Sequence, residues 1–189
     1  MRYSLNTTHK CNWNCSYCIV DTHNQPARTI EEVYKDVMSL PDRSELSLAG
    51  GEPGLLERQE IEKILEISRE KNFTDIDLLT NGLFIEKYQD MLHNFSDVHY
   101  HCVESLQDTI QFPDLSYADY TIVVTEDEYQ YLPEFLDTYP HITFSIIGSM
   151  NVKPMTYKTK LKMIKKFKHR MTKRSISENL QENCNSIGY

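Results

Sequence analysis

The stretch Arg2-Tyr3-Ser4-Leu5-Asn6-Thr7-Thr8-His9-Lys10-Cys11-Asn12-Trp13-Asn14-Cys15-Ser16-Tyr17-Cys18 joins a strand-like segment directly to three crowded cysteines. Arg2 to Thr8 carries the apolar and β-branched character of a strand, and the thiols follow in a C-x3-C-x2-C spacing. Three thiolates so close together can wrap one metal centre. A loop at the carboxyl end of a strand is also where an α/β fold keeps its site. Three ligands are one short of closing a tetrahedral or cubane centre. Without a fourth from the protein, one iron of a [4Fe-4S] cluster stays open to a small molecule. The other reading is a structural zinc site with His9, His23 or Cys102 as fourth ligand. Cysteine-rich zinc knuckles usually come as two spaced pairs, which this segment lacks.

Moving outward, further strand patterns fall at Glu45 to Ala49, Asp75 to Thr80, Val98 to Val103, Tyr120 to Val124 and Ile142 to Ile147. Helical patterns separate them. Ile30 to Leu40 follows Thr29, whose hydroxyl can cap it, with Glu31 and Glu32 at the positive end of the helix dipole. Leu56 to Lys71 puts Ile61, Ile64, Leu65 and Ser68 on one face, as a helix covering a sheet does. Phe84 to Phe95 and Glu126 to Tyr139 are shorter, and Pro133 is expected to bend or split the latter. Strand and helix in alternation imply parallel strands with right-handed crossovers. Six units predict an α/β fold, an open and partial (β/α)6 barrel, with ligands at the carboxyl ends of the strands. The chain has 189 residues, whereas a full eight-unit barrel needs about 250. Residues 1–150 read as the core domain. Residues 151–189 read as a linker, a basic amphipathic helix from Lys158 to Met171 with a stripe of Leu161, Ile164, Phe167 and Met171, and a polar tail.

Composition supports a packed core: 40% of residues are hydrophobic, 25% charged and 11% aromatic, the balance of a globular chain. No apolar run approaches the about 18 residues that a membrane span requires. MRYSLNTTHK at the start has no apolar core of a secretory signal, so the expected location is cytoplasmic, with reduced thiols. The net charge of −8 is unevenly placed. Residues 1–152 hold 26 acidic and 10 basic side chains, while residues 153–174 hold ten basic and no acidic ones. The body would repel phosphates; only the basic segment, 158–174 above all, could attract an acidic or phosphate-bearing partner.

The run Asn6-Thr7-Thr8-His9-Lys10-Cys11-Asn12, with Cys15, Tyr17 and Cys18 after it, resembles the cluster loop of radical S-adenosylmethionine (SAM) enzymes. Ser47-Leu48-Ala49-Gly50-Gly51-Glu52-Pro53 is similar to that family's GGEP segment, and Leu79-Thr80-Asn81-Gly82 to its TNG turn. Val103-Glu104-Ser105-Leu106 ends the fourth strand where relatives often place a serine, and Ile146-Ile147-Gly148 is a candidate apolar wall for adenine. The resemblance implies that Cys11, Cys15 and Cys18 are cluster ligands and that the backbone of Tyr17 lies against adenine. It further implies that Gly50, Gly51, Glu52 and Pro53 receive the SAM amino group, and that Asn81 and Ser105 belong to the SAM site. Paired glycines permit close backbone approach and a carboxylate favours an ammonium, so the chemistry is consistent. In such enzymes the reduced cluster cleaves SAM to a 5'-deoxyadenosyl radical that takes hydrogen from a substrate. An electron donor such as flavodoxin or ferredoxin is implied. For the substrate, a nucleobase or nucleotide-type small molecule is favoured, with activation of a glycyl radical enzyme as the alternative. Cys102, Cys184 and the histidines at 93, 99 and 101 receive no role.

Overall fold

The structure is a computed structural model that describes residues 1–13, 25–100, 119–124, 129–140, 142–146 and 156–171. The first strand, β1 (Arg2–Thr8), is followed by α1 (Ile30–Ser39), β2 (Glu45–Gly50), α2 (Arg58–Glu70) and β3 (Asp75–Thr80). Then come α3 (Leu83–Lys87), β4 (Asp97–Tyr100), β5 (Asp119–Val124), α4 (Leu132–Thr138), β6 (Thr143–Ile146) and α5 (Tyr157–Phe167). Every strand pairs in parallel with the next in sequence, which gives one sheet ordered β1-β2-β3-β4-β5-β6. Crossovers joining parallel strands of one sheet are right-handed as a general rule. The result is the α/β partial barrel, with β1 and β6 at opposite edges.

Local chemistry explains the elements. Thr29 caps α1: its hydroxyl accepts the Glu32 N–H at 3.3 Å, and the Glu32 carboxylate accepts the Thr29 N–H at 2.9 Å. This reciprocal pair satisfies two donors that the first turn would otherwise leave open. Val33 and Val37 then face the sheet. Helix α2 buries Ile61, Ile64, Leu65, Ile67 and Ser68; the Ser68 hydroxyl donates to the Ile64 carbonyl at 2.8 Å, which is how a polar group sits on an apolar face. These side chains meet Leu46, Leu48 and Leu78 of the sheet in one continuous core.

Three of the helical patterns take a more specific form. The pattern from Phe84 to Phe95 is two pieces, α3 and a 3₁₀ turn over Gln89–Asn94. Tyr88 separates them, its ring edge-on to Phe84 and its hydroxyl donating to the Leu56 carbonyl at 2.8 Å. The pattern from Glu126 to Tyr139 is described as helix only over α4, where Pro133 stands in the first turn, a place where its missing N–H has no partner to lose; residues 125–128 lie outside the described part. Along α5 and the turn that follows it, the buried positions are Lys160, Met163, Phe167 and Met171, with Ile164 packed beside them and Leu161 only half-buried. Ile164, Phe167 and Met171 thus pack as the sequence suggests, and Met163 is buried in place of Leu161. Of the fourth strand pattern, positions 101–103 lie outside the described residues, as does position 147 of the sixth.

The α5 segment is fastened to the β6 edge. Phe167 meets Phe144 edge-on with ring centroids 6.0 Å apart, and Met171 forms a parallel bridge to Phe144. Arg170 donates to the carbonyls of Leu136 at 3.4 Å, Tyr139 at 2.8 Å and Ile142 at 2.8 Å. No helix among the described residues is long and apolar enough to cross a membrane.

Candidate functional site

The carboxyl ends of β1, β2 and β3 meet at the entry to the cysteine loop. Pairing of β1 with β2 slips by one residue between Asn6 and Thr8, so Thr7 is an inserted residue. Such bulges re-aim a chain at a sheet edge. Thr7 is buried, and its hydroxyl donates to the Ala49 carbonyl at 3.1 Å. The chain past Thr8 is then sewn to the turn after β2: the Gly51 N–H reaches the Thr8 carbonyl at 2.7 Å, and the Glu52 N–H the Lys10 carbonyl at 2.9 Å.

The two glycines have distinct uses. Gly50 has φ +111°, a left-handed value that side chains rarely accept. A Cβ on Gly51 would lie 1.9 Å from the Lys10 carbonyl oxygen. The close approach that Gly51 permits is thus to the protein's own backbone, on the loop that carries the cysteines.

Glu52 is completely buried. Its Oε1 accepts the Gly54 N–H at 2.7 Å and the Thr80 hydroxyl at 2.8 Å, and its Oε2 accepts the Asn81 N–H at 2.7 Å. Burial pushes its carboxyl above the ordinary glutamate value, and these hydrogen bonds oppose the shift without cancelling it. Pro53 opens a 3₁₀ turn over Pro53–Leu55 and is buried. The carboxylate expected to face an ammonium therefore has internal partners, and it couples the turn after β2 to the turn after β3.

Asn81 continues the chain of contacts. Its Nδ2 donates to Asn12 Oδ1 at 2.9 Å and to Cys11 Sγ at 3.7 Å, while its Oδ1 accepts the Leu83 N–H at 3.3 Å. Gly82, with φ +108°, supplies the left-handed residue that lets α3 start at once. Cys11 is half-buried, and its sulfur also accepts the Trp13 N–H at 3.4 Å. Two N–H donors aimed at one sulfur suit a thiolate, the form in which cysteine binds metal. The structure thus brings Cys11, Gly50, Gly51, Glu52, Pro53 and Asn81 together. Cys15, Cys18, Tyr17 and Ser105 lie outside the described residues, as do Cys102, Cys184 and His23. Among the described residues, no three His, Cys, Asp or Glu side chains form a metal-holding group. Of the histidines, His9 turns its Nδ1 to the Pro26 carbonyl at 2.9 Å. His93 bonds the Asp90 carbonyl at 2.7 Å, and His99 lies 3.3 Å from Asp97.

Sequence reasoning misses Thr80 and Asn12. Thr80 stands within its motif without an assigned role, yet its hydroxyl both donates to Glu52 and accepts the Gly82 N–H at 3.0 Å. Its signal is adjacency to Asn81 at the end of a strand. Asn12 follows the first cysteine and is the acceptor that orients Asn81.

A partial α/β barrel whose first three strand ends gather a cysteine loop, a GGEP turn and a TNG turn defines a class. The family model of the Radical SAM superfamily matches residues 5–129, and the chain belongs to that superfamily. Its members bind a [4Fe-4S] cluster and SAM. Among curated relatives, the chain is 34% identical over 95 residues to a probable GTP 3',8-cyclase of Methanococcus maripaludis strain C6, a match covering 48% of this chain and 31% of the relative. It is 36% identical over 100 residues to the GTP 3',8-cyclase of Alkaliphilus metalliredigens, covering 49% and 30%. The matched segment spans under a third of those relatives' length. Among solved structures, native anSMEcpe with bound AdoMet and Cp18Cys peptide aligns over 87% of this chain and 57% of its own, with TM-score 0.57 and 16% identity. Native anSMEcpe with bound AdoMet alone aligns over 77% and 50%, with TM-score 0.53 and 17% identity. At that identity the likeness is one of fold.

Proposed function

We propose that this protein is a radical SAM enzyme in which Cys11, Cys15 and Cys18 hold a [4Fe-4S] cluster with one iron open to SAM, and that its substrate is a purine nucleotide or a related small molecule. The observation that carries the reading is the convergence on Cys11: two N–H donors reach its sulfur, one from the TNG turn. When bound, such a cluster would supply the electron for reductive cleavage of SAM and so the means to take a hydrogen atom from substrate.

The chain's own residues do the holding. Gly50, Gly51, Glu52 and Pro53 form one wall of the SAM site, Asn81 another, and Tyr17 and Ser105 complete it. Glu52 contributes through the turns it joins, since its oxygens already accept three donors. The nucleotide assignment rests on relatives named GTP 3',8-cyclase. Residues 1–150 form the core unit in this reading and 151–189 an appended segment. An electron donor such as flavodoxin or ferredoxin serves the cluster. The exposed Lys158, Lys162, Lys165 and Lys166 on α5 offer a surface to an acidic or phosphate-bearing partner.

Anaerobic reconstitution with iron and sulfide tests the proposal. It should give about four irons per chain, a cluster EPR signal on reduction, and 5'-deoxyadenosine from SAM plus dithionite. Adding GTP should raise 5'-deoxyadenosine formation and yield a new nucleotide product by mass spectrometry. A colourless protein with one tightly held zinc would sink the cluster assignment; cleavage of SAM that ignores GTP and other purine nucleotides would sink the substrate class alone.

A further inference from the structure

The amide of Asn81 is placed to act on the cluster and not only on SAM. Its orientation is fixed from both ends. The Leu83 N–H needs an acceptor and takes Oδ1 at 3.3 Å, which turns Nδ2 toward the cysteine loop. One of the two Nδ2 protons then goes to Asn12 Oδ1 at 2.9 Å and leaves the other for Cys11 Sγ at 3.7 Å. The backbone of Asn81 is held in turn by Glu52 Oε2 at 2.7 Å. Asn81 is only 8% exposed and Glu52 is fully enclosed, so the Asn81 end of these contacts is held away from bulk water.

We propose that Asn81 tunes the reduction potential of the cluster through an N–H···S hydrogen bond to the Cys11 thiolate. This rests on the cluster assignment above. Reduction adds one negative charge to the iron-sulfur unit, and part of it resides on the thiolate sulfurs. A donor pointed at a sulfur stabilises the reduced form more than the oxidised form and so raises the potential, one of the means by which proteins set iron-sulfur potentials. The Trp13 N–H acts in the same sense at 3.4 Å, but it is backbone and cannot be removed by changing a side chain. Asn81 is the donor that the sequence can vary. Glu52 acts one step further back, as the positioning residue that holds Asn81 in place.

EPR-monitored redox titration of the reconstituted protein, without SAM, reads the effect directly. At the wild-type midpoint, Asn81→Ala should lower the ratio of reduced to oxidised cluster by roughly three- to tenfold; tenfold corresponds to about 59 mV for a one-electron couple. Pulsed EPR on the reduced cluster in protein labelled with 15N-asparagine should show a nitrogen coupling that disappears in Asn81→Ala, a signature that a purely structural role would not produce. Asn81→Asp keeps an acceptor for the Leu83 N–H and lacks the donor. It decides the matter if the alanine variant holds no cluster, because it should shift the ratio at least as far and lose the same coupling. A variant with about four irons and an unchanged ratio and coupling overturns the proposal while leaving the cluster assignment intact. Wild-type protein without iron overturns the cluster assignment and this proposal with it.

Discussion

The two edges of the sheet solve the same problem in opposite directions. At the β1–β3 end a buried carboxyl group, Glu52, gathers an O–H and two N–H groups from the turns around it. At the β6 edge a cation, Arg170, gathers the carbonyls of Leu136, Tyr139 and Ile142. Each locks irregular backbone that strands and helices leave unpaired. The difference lies in what surrounds the lock. Around Glu52 the polar contacts lead inward, through Thr80 and Asn81, to the cysteine loop. Arg170 instead anchors a helix whose Lys158, Lys162, Lys165 and Lys166 are exposed to solvent. Rigidity at the entry to the cysteine loop and an exposed charged face are different products of the same packing, and substitutions should separate them.

The largest effect is expected at Gly51. A methyl there would stand 1.9 Å from the Lys10 carbonyl oxygen, a distance that only movement of the backbone can relieve. Gly51→Ala should cost about 3 kcal/mol or more of folding stability, measured as a loss of denaturant midpoint, and should push the start of the cysteine loop away from β2. A variant within about 0.5 kcal/mol of wild type would mean that the loop entry is not fastened as described.

Glu52 comes next, and its test is one of pH. Its native carboxyl value lies above the ordinary 4.5 because burial outweighs the hydrogen bonds it accepts. An acid with a raised native value binds more protons folded than unfolded. Its contribution is therefore fully present below about pH 4.5 and is lost as pH rises through the native value. Glu52→Gln is close in shape but must point its NH₂ at a backbone or hydroxyl donor, so it should be less stable by about 1–3 kcal/mol in acid. That deficit should narrow as pH rises from about 4.5 through the native value, as followed by urea unfolding at several pH values. A deficit that widens with pH would show that the donors around Glu52 outweigh burial and that the anion is the favoured form.

These tests also mark the boundary between what residue pattern carries and what only packing decides. The strand and helix order and the capping by Thr29 follow from periodicity and residue type, while the segments that gather at the carboxyl ends are picked out by their resemblance to radical SAM motifs. Local pattern does not tell whether Glu52 faces a ligand or the protein, because a GGEP turn is compatible with both; Thr80 and Asn81 decide it from another strand. The same limit explains α5. Leu161 and Met163 are both apolar, and only docking against Phe144 selects the face containing Met163 and Phe167. Arg170 counts as one more positive charge in a basic run until the carbonyls around it show it to be an anchor. Pro133 is a helix breaker in a long pattern and a helix starter in a short one, so its meaning depends on where α4 begins.

The smallest effect, and the one with the less obvious sign, concerns the outward face of α5. Its first turn carries no acidic residue, and Lys158 sits there against the positive end of the helix dipole with Lys162 one turn on. Among the described residues, Lys158, Lys162 and Lys165 have no carboxylate within ion-pair distance. Like charges at i and i+4 cost a few tenths of a kcal/mol, and a cation at a helix start costs a similar amount. Lys158→Glu reverses both terms, with the acid on the favourable N-terminal side of Lys162. The variant should be more stable than wild type by about 0.5–1 kcal/mol at low salt, and the gain should shrink as the Debye length falls to about 3 Å in 1 M salt. Denaturant midpoints at two ionic strengths measure it. A gain would mean that the lysines at the start of this helix work against the fold, in contrast to Glu52 and Asn81, whose polar groups hold it. A loss would mean that Lys158 supports the docking of α5, and the contrast between the two edges would then be one of degree.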